Sequence, residues 1–521
     1  MPSHVSRQTC KCRSGSTSRG GTVIKFSAVL VSGCAALVVA GAARSALTIG
    51  VSEDRQKDTN AAAFFATMTD LGMTQNRASI IWDPTQPNVI GGQDVIAQWL
   101  PVAQAAGVRV VFAIAPKRAR DITNSPAATS QFAAFVAHVA QVFPQVKDYV
   151  IGNEPNQPRF WLPQFEAAKP VAAAAYEPLL AKSYDALKAV DPTINVIGIG
   201  LSPRGNDNPN ARSNISRSPV RFLHDLGVAY RASGRTKPLM DELAFHPYPP
   251  VNTAAPDAGY SWPNAGLSNL GRVKQAVWDA FKGTAQPTFA EPDTVNLNPL
   301  RLELDEVGWQ VAVLPALAGL YTGTENVPTI DEPTQAEYYR DVIISAECDP
   351  TVRSLSFFLL LDEADLKNGW QSGLERIDGS RRPSYDAVKT TTAQTHGNCQ
   401  QGMTNWRHTS AVVLPRVFWG LRHRSVRWTK WRISAGAGEE VSFRAGIFKA
   451  GTSKRAIAKS LTTGRPRAVL SATGTIKAKT RVIAFPARRL KRGRYLIAIR
   501  MRSTMNPGRA KLLISRVLRV G

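Results

Sequence analysis

Hydrophobic and polar positions in the first 400 residues form two alternating patterns. Short runs rich in Val, Ile, Leu and Phe indicate buried strands, and the longer stretches between them have the spacing of amphipathic helices. The predicted strands lie at 47–51, 77–82, 108–115, 149–154, 195–200, 243–246, 302–306 and 355–361. The predicted helices lie at 60–71, 93–106, 131–142, 176–190, 219–233, 267–281, 334–346 and 384–392.

This repetition of a strand and a helix predicts the fold class. Strands that alternate with helices form a parallel sheet, and eight such units close the sheet into a (β/α)8 TIM barrel. A doubly wound open sheet is the alternative, but no Gly-rich phosphate-binding turn follows the first strand. We therefore expect an α/β chain in which residues 47–395 form the barrel.

The pattern changes at about residue 402. Short β-branched runs between Gly, Pro, Ser and Thr residues replace the strand–helix repeat, so we expect a small all-β sandwich domain at 402–521 that contains no helix. One of its predicted strands lies at 455–458. The segment 492–499, RGRYLIAI, resembles the G-x-Y strand of bacterial extracellular immunoglobulin-like modules.

Charge also separates the two parts. The chain has a formal charge of +25, and residues 401–521 contain 28 Lys and Arg but only two acidic residues, Glu439 and Glu440, a net charge of +26. Such a surface binds polyanions by electrostatics alone, which indicates an anionic cell-wall polymer as partner. The alternative is a basic surface that only reflects the arginine usage of a GC-rich genome. Specific nucleic-acid recognition is not expected, because no recognition helix is predicted.

Residues 1–46 have the composition of an export signal. Five basic residues and no acidic one precede an uncharged run at 26–43, and Ala40 and Ala42 form a small-residue cleavage site. We expect a cleaved signal peptide and a secreted, extracellular protein that could also associate with the cell surface. Two alternatives stay open and would place the chain at a membrane: an uncleaved anchor, or lipidation of Cys34, around which the sequence resembles a lipobox.

The cysteines agree with export. Three of the five, Cys10, Cys12 and Cys34, lie in the leader, which leaves Cys348 and Cys399. In an oxidising compartment such a pair indicates one disulfide, which would join the end of the seventh helix to the segment after the eighth. Two separate buried thiols are the alternative.

Two glutamates stand at the ends of predicted strands. Asn153 and Glu154 follow the apolar run of the fourth strand, and Glu306 lies at the end of the seventh. In a barrel these tips converge over the axis, where many enzymes of this fold carry their active site. A pair of carboxyl groups held roughly 5 Å apart is the requirement for retaining glycoside hydrolysis.

The order and spacing of these residues resemble the β/α-barrel glycoside hydrolases of clan A, which include cellulase-like enzymes. The resemblance covers residues 47–395 and implies that Glu154 is the acid/base and Glu306 the nucleophile. It implies that Asn153 hydrogen-bonds a sugar hydroxyl. Arg77 on the second strand would favour the ionised nucleophile, and His246 with Tyr248 resembles the His-x-Tyr of the sixth strand.

The loops after several strands carry tryptophans that could stack on sugar rings. These are Trp161, Trp262, Trp309 and Trp370. Clan members usually have a Trp at the end of the eighth strand, and this chain has Phe357 and Phe358 there. We expect a Phe or Trp370 to take that place.

Each candidate also has a structural interpretation. Asp305 and Glu303 compete with Glu306, but period-two alternation places Asp305 on the opposite side of the strand. His246 and Tyr248 could serve packing, and Arg77 could be a structural ion-pair partner. We find no sequence signature of a metal or cofactor site and expect neither.

The sequence therefore predicts a secreted retaining O-glycosyl hydrolase that acts on a polysaccharide or oligosaccharide, with β-linked substrates favoured. A non-catalytic carbohydrate- or cell-wall-binding protein that retains the barrel is the alternative from another class. A transglycosidase of wall polysaccharide would use the same machinery, with a sugar in place of water at the covalent intermediate.

Overall fold

The structure is a computed structural model that describes residues 46–292, 298–422, 431–486 and 490–520. The predicted leader, with Cys10, Cys12 and Cys34, lies outside the described residues apart from residue 46. Among the described residues, no helix has both the length and the apolar character needed to cross a membrane.

A closed barrel of eight parallel strands forms the larger part of the molecule, as predicted. Its strands are β1 (Thr48–Ser52), β2 (Gln75–Trp82), β3 (Arg109–Pro116), β4 (Asp148–Ile151), β5 (Asn195–Leu201), β6 (Glu242–Phe245), β7 (Arg301–Val307) and β8 (Val352–Phe357). Each strand pairs with the next, and β8 returns to β1. Closure places all eight strand tips around one opening.

Helices surround the barrel and follow the strands in the predicted order. They are α1 (Gln56–Asp70), α2 (Gln93–Ala105), α3 (Ala128–Val142), α4 (Ala172–Val190), α5 (Pro219–Ser233), α6 (Leu270–Phe281), α7 (Glu332–Glu347) and α8 (Pro383–Thr395). Two 3-10 helices, Leu267–Asn269 and Pro315–Leu320, and a two-residue hairpin, Phe165–Glu166 with Lys169–Pro170, lie in the connections. The helices bury their apolar faces against the strands, so the main core lies between the two layers.

Cys348 and Cys399 are bonded to each other, 51 positions apart in the chain. Cys348 follows α7 and Cys399 follows α8, so the bond spans the last strand–helix unit of the barrel. The alternative of two separate thiols does not describe this structure.

Two antiparallel sheets follow the barrel. Their strands are β9 (Arg416–Arg422), β10 (Arg432–Gly436), β11 (Val441–Lys449), β12 (Leu470–Ile476), β13 (Arg481–Ala484), β14 (Gly493–Ser503), β15 (Ala510–Ile514) and β16 (Leu518–Val520). One sheet has the order β9-β10-β13, and the other has the order β12-β11-β14-β15, with β16 also pairing with β14. Alternate residues of both sheets form one shared apolar core, as in a sandwich.

The prediction that this part contains no helix is wrong. Residues predicted as a strand at 455–458 belong to α9 (Lys454–Thr463). Ser453 caps this helix at its N-terminus and Gly464 caps it at its C-terminus. The Ser453 hydroxyl accepts a hydrogen bond from the Ala456 N–H, and Gly464 takes the left-handed conformation at φ 81°. Ile457 and Leu461, four positions apart, are buried against the sheet. The capping residues and the four-residue spacing indicate a helix in the sequence. The prediction of a strand rests instead on the short run of apolar and β-branched residues.

The sandwich meets the barrel at helices α5 and α6 through polar contacts. Arg509 lies 2.9 Å from Asp279 and 2.6 Å from Glu439, so it joins an acid of each part. Glu440 accepts a hydrogen bond from Arg221 at 2.9 Å. Both acidic residues of the basic segment are therefore engaged at or near this junction.

Candidate active site

Glu154 is held in an unusual backbone conformation at the tip of β4. The strand ends at Ile151, Gly152 has φ 86°, and Glu154 itself has φ 39°, a left-handed value that is uncommon outside glycine. Its N–H donates to the Gly200 carbonyl at 2.8 Å, which ties it to the neighbouring strand β5. Such local strain persists only where the surroundings hold it, and it is frequent at functional sites.

Arg77 connects three of the candidate residues. Its Nε lies 3.0 Å from Asp305, one terminal nitrogen lies 3.0 Å from Glu306, and the other donates to the Asn153 amide oxygen at 2.8 Å. The side chain is buried, so these partners replace the water that its charge would otherwise bind. The Asn153 oxygen is occupied by Arg77, which leaves the amide nitrogen as its donor toward a ligand.

His246 lies between the two candidate catalytic carboxylates. Its Nδ1 is 3.0 Å from Glu154 Oε1 and 3.4 Å from Glu306 Oε2, so these two oxygens are at most 6.4 Å apart. Its Nε2 is 3.3 Å from Asp305. Although burial alone lowers the pKa of His246, the carboxylates of Glu306 and Asp305 raise it to about 10. The imidazole therefore carries a positive charge at neutral pH, with Nδ1 donating to Glu154 and Nε2 within ion-pair distance of Asp305.

Tyr248 donates from its hydroxyl to Glu306 Oε2 at 3.1 Å. Burial and the nearby carboxylates hold the pKa of the phenol well above its usual range, so it stays a donor. Burial also raises the pKa of Glu306, and the cations His246 and Arg77 oppose that shift. The carboxylate of Glu306 is thus held by the Tyr248 hydroxyl and by the two nearby cations Arg77 and His246.

Asp305 belongs to the same cluster as Glu306, and the prediction that it lies on the opposite side of the strand is wrong. In the pairing of β7 with β8, Leu304 is opposite Leu355 and Val307 is opposite Phe357. Two residues of β7 therefore face the single residue Ser356 of β8, which is the arrangement of a β-bulge. The bulge interrupts the two-residue period, so both acids contact Arg77 and His246.

The tryptophans separate into two groups. Trp161 is 2% exposed and Trp309 is 1% exposed, so the sugar-stacking role predicted for these two is wrong, because neither ring has an open face. Trp309 donates instead to the Ala254 carbonyl at 2.8 Å. Trp262 is partly buried and lies against Arg221, 5.5 Å from the guanidinium carbon.

Trp370 lies beside the catalytic candidates. Its ring is 5.0 Å from that of Tyr248 and meets Phe358, 5.7 Å away, edge to face. The aromatic group at the end of the eighth strand is thus a Phe358–Trp370 pair, and Trp370 remains partly exposed.

Sequence reasoning missed Tyr260, whose hydroxyl donates to the Pro249 carbonyl at 2.7 Å and so supports the loop that carries Tyr248.

The opening of the barrel therefore holds three carboxyl groups and two buried cations. Glu154, Asp305 and Glu306 share the positive charges of Arg77 and His246. Such an arrangement can transfer a proton from one carboxyl group while another acts as a nucleophile. Among the residues that the structure describes, no group of three His, Cys, Asp or Glu side chains is arranged to hold a metal ion.

Searches of protein-family models and of curated proteins return no match. Among solved structures, the chain is similar to a family 39 glycoside hydrolase from Bacteroides cellulosilyticus WH2, with 15% identity, a TM-score of 0.49, and coverage of 85% of this chain and 81% of that one. It is also similar to a glucosidase from Croceicoccus marinus, with 13% identity, a TM-score of 0.46, and coverage of 86% and 96%.

The chain spans about half the length of another match, a β-glucuronidase from Bacteroides uniformis. That match has 11% identity, a TM-score of 0.42, and coverage of 92% of this chain and 46% of the other. All three TM-scores lie below 0.5 and all three identities below 25%, so the functional argument rests on the geometry of the site.

Proposed function

We propose that this protein is a retaining glycoside hydrolase that cleaves O-glycosidic bonds, with β-linked polysaccharides or oligosaccharides as the favoured substrates. The observation that carries the proposal is the separation of the Glu154 and Glu306 oxygens, at most 6.4 Å. Retaining enzymes hold their carboxyl groups about 5–5.5 Å apart, a separation that this upper bound on one oxygen of each residue allows, and inverting enzymes hold them roughly 6.5–9.5 Å apart to admit a water molecule.

In the first step Glu306 attacks the anomeric carbon while Glu154 donates its proton to the departing glycosidic oxygen. The sugar becomes bonded to Glu306 and the leaving group departs as an alcohol. Tyr248 and Arg77 orient Glu306 for this attack through the contacts of 3.1 and 3.0 Å. In the second step Glu154, now a carboxylate, takes a proton from water while the water oxygen attacks the anomeric carbon. The bond between the sugar and Glu306 breaks, which frees the sugar and restores the Glu306 carboxylate.

Trp370 supplies the aromatic surface for the sugar beside Glu306. It lies against Tyr248 and Phe358 and keeps part of its ring exposed. Stacking on this ring and hydrogen bonds to the Asn153 amide would position the reactive sugar. A transglycosidase would share all of these residues and differ only in the acceptor of the second step.

Incubation with a panel of activated 2-fluoro glycosides tests this proposal. The fluorine slows breakdown of the covalent intermediate, so intact mass should increase by one glycosyl unit, and peptide mapping should place the adduct on Glu306. The sugar that labels the protein identifies the glycone. Binding of glycans by the unmodified protein without any label from the panel would favour the non-catalytic carbohydrate-binding protein instead.

We also propose that the protein is exported and that residues 402–521 hold it to an anionic cell-surface polymer. The composition of the leader and the bonded pair of Cys348 and Cys399 support export, because disulfides persist mainly in oxidising compartments. Fractionation of expressing cells tests it, with the mature N-terminus read by mass spectrometry. Retention in the cytoplasm with the leader intact would contradict export.

A further inference from the structure

Three arginines share the outer face of the larger sheet of the sandwich. Arg444 on β11 and Arg500 and Arg502 on β14 alternate with core residues and so point away from the shared core. They line a groove of about 350 Å³ together with Leu461 and Thr462 at the end of α9. We call this feature the arginine groove.

The placement of these arginines is unfavourable without a counter-ion. Arg444 is directly opposite Arg500 in the antiparallel pair, and Arg502 lies two positions further along the same face. Like charges in opposite positions of neighbouring strands destabilise a sheet. Burial and the two neighbouring guanidinium groups lower the pKa of Arg500, which reports the same repulsion.

The described residues offer the groove no carboxylate. Within the part of the chain that the structure describes, no acidic side chain lies within 4.0 Å of Arg444, Arg500 or Arg502. Glu439 and Glu440, the two acids of this segment, are engaged with Arg509 and Arg221 near the barrel junction. Among the described residues, no carboxylate is therefore close enough to neutralise the groove.

The walls of the groove leave room for such a molecule and help to hold the guanidinium groups. Arg444 donates to the Thr462 carbonyl at 3.1 Å, and Arg502 donates to the Pro507 carbonyl at 3.1 Å. Thr473 adds a hydroxyl, and Gly474 contributes no side chain to the lining. The site therefore combines fixed cations, a neutral donor and open space.

We propose that the arginine groove binds a phosphoryl group of a phosphate-bearing polymer. A phosphate inside a polymer chain carries one charge and two non-bridging oxygens, as a carboxylate does, but its tetrahedral geometry and the neighbouring phosphates of the chain can present charged oxygens to all three guanidinium groups at once. Arginine pairs with such oxygens through two parallel hydrogen bonds. The site lies outside the barrel opening, so it does not depend on the proposed hydrolase activity.

The test compares two triple variants of the full chain that lose the same charge. R444Q/R500Q/R502Q removes the groove arginines, and R465Q/R467Q/R494Q removes three exposed arginines of the same segment that do not line it. Binding of inorganic polyphosphate is measured at physiological salt, with polygalacturonate as the carboxylate polymer. Circular dichroism and the thermal midpoint check folding.

The groove variant should bind polyphosphate about tenfold more weakly or worse, and the control variant should lose less than about threefold. Polyphosphate should raise the thermal midpoint of the wild type but not of the groove variant. Equal losses of polyphosphate binding in both variants would show that binding depends on overall positive charge and not on the groove, and would overturn the proposal. An equally large loss of polygalacturonate binding in the groove variant would overturn its specificity for phosphate.

Discussion

The barrel opening and the arginine groove both concentrate charged side chains, but they neutralise them differently. In the opening, the buried cations Arg77 and His246 have the carboxyl groups of three acidic residues within 3.5 Å. In the groove, three arginines have no acidic partner among the described residues. The function of a charge cluster is therefore best inferred from the position of its counter-charges. A cluster whose charges are paired within the protein is suited to proton transfer and nucleophilic attack. A cluster without such partners is suited to binding an ion of opposite charge.

The largest effect is expected from Glu306→Gln, because this change removes the nucleophile and keeps the shape of the side chain. Turnover should fall by about 10⁴-fold or more, as is typical when a nucleophile is lost. Steady-state rates with an aryl glycoside measure it. Glu166→Gln, the same change at an exposed site on a connection, should leave the rate unchanged. Comparable rates for wild type and Glu306→Gln would refute the assignment.

Glu154→Ala should be the next most severe change, and its effect should depend on the leaving group. Poor leaving groups need the proton, so their rate should fall by about 10²–10⁴-fold. Aryl leaving groups of low pKa need no proton, so formation of the covalent intermediate should be largely preserved. Azide should then restore turnover by attacking the intermediate. A uniform loss on all substrates would argue against an acid/base role.

The pairing of His246 predicts how stability depends on pH. Its pKa in the folded state is raised to about 10 by Glu306 and Asp305 against the opposing effect of burial, whereas an unfolded histidine titrates near 6.5. The stabilisation of the folded state by charged His246 is fully present below about pH 6.5 and is lost as the pH rises through about 10. The wild type should therefore lose about 5 kcal/mol of unfolding free energy over this window beyond the loss in His246→Gln, because each pKa unit between the unfolded and folded values corresponds to about 1.4 kcal/mol.

Urea denaturation at a series of pH values measures this difference. His138→Gln, on helix α3, serves as the control and should follow the wild-type curve. If the curves of the wild type and His246→Gln run parallel from pH 6.5 to 10, the charged form of His246 is not what the carboxylates stabilise.

The smallest effect is expected from Tyr248→Phe. This change deletes one hydroxyl that donates to Glu306 at 3.1 Å, and a hydrogen bond to a charged group contributes about 1.5–3 kcal/mol. We expect kcat/KM to fall by roughly tenfold or more. Tyr338→Phe, which packs beside Trp309, is the matched control. An unchanged kcat/KM in Tyr248→Phe would assign the phenol to packing alone.

Much of the barrel could be predicted because local pattern and global fold agree in it. The helix at 219–233 has the predicted bounds, and each of the eight predicted barrel strands overlaps an observed one. The positions of Glu154 and Glu306 at strand tips follow from the same pattern. The contacts of Glu154 and Glu306 cannot be predicted from that pattern, because the distance between residues at the ends of β4 and β7 depends on closure of the whole barrel.

The errors have identifiable physical causes. The bulge in β7 is an event of strand pairing, so the alternation of Asp305 and Glu306 in sequence could not reveal it. Burial of Trp161 and Trp309 depends on tertiary packing, which an aromatic residue in a loop does not disclose. Helix α9 was missed although Ser453 and Gly464 signal its ends. The domain boundary at residue 402 stays a prediction.

The bond between Cys348 and Cys399 lowers the conformational entropy of the unfolded chain. The enclosed segment, 51 positions long, contains β8, which closes the barrel by pairing with β1. Fixing the two ends of this segment removes loop-closure entropy from the unfolded chain, worth about 4 kcal/mol at this length. The free energy of unfolding of the whole barrel therefore depends on whether this bond is oxidised or reduced.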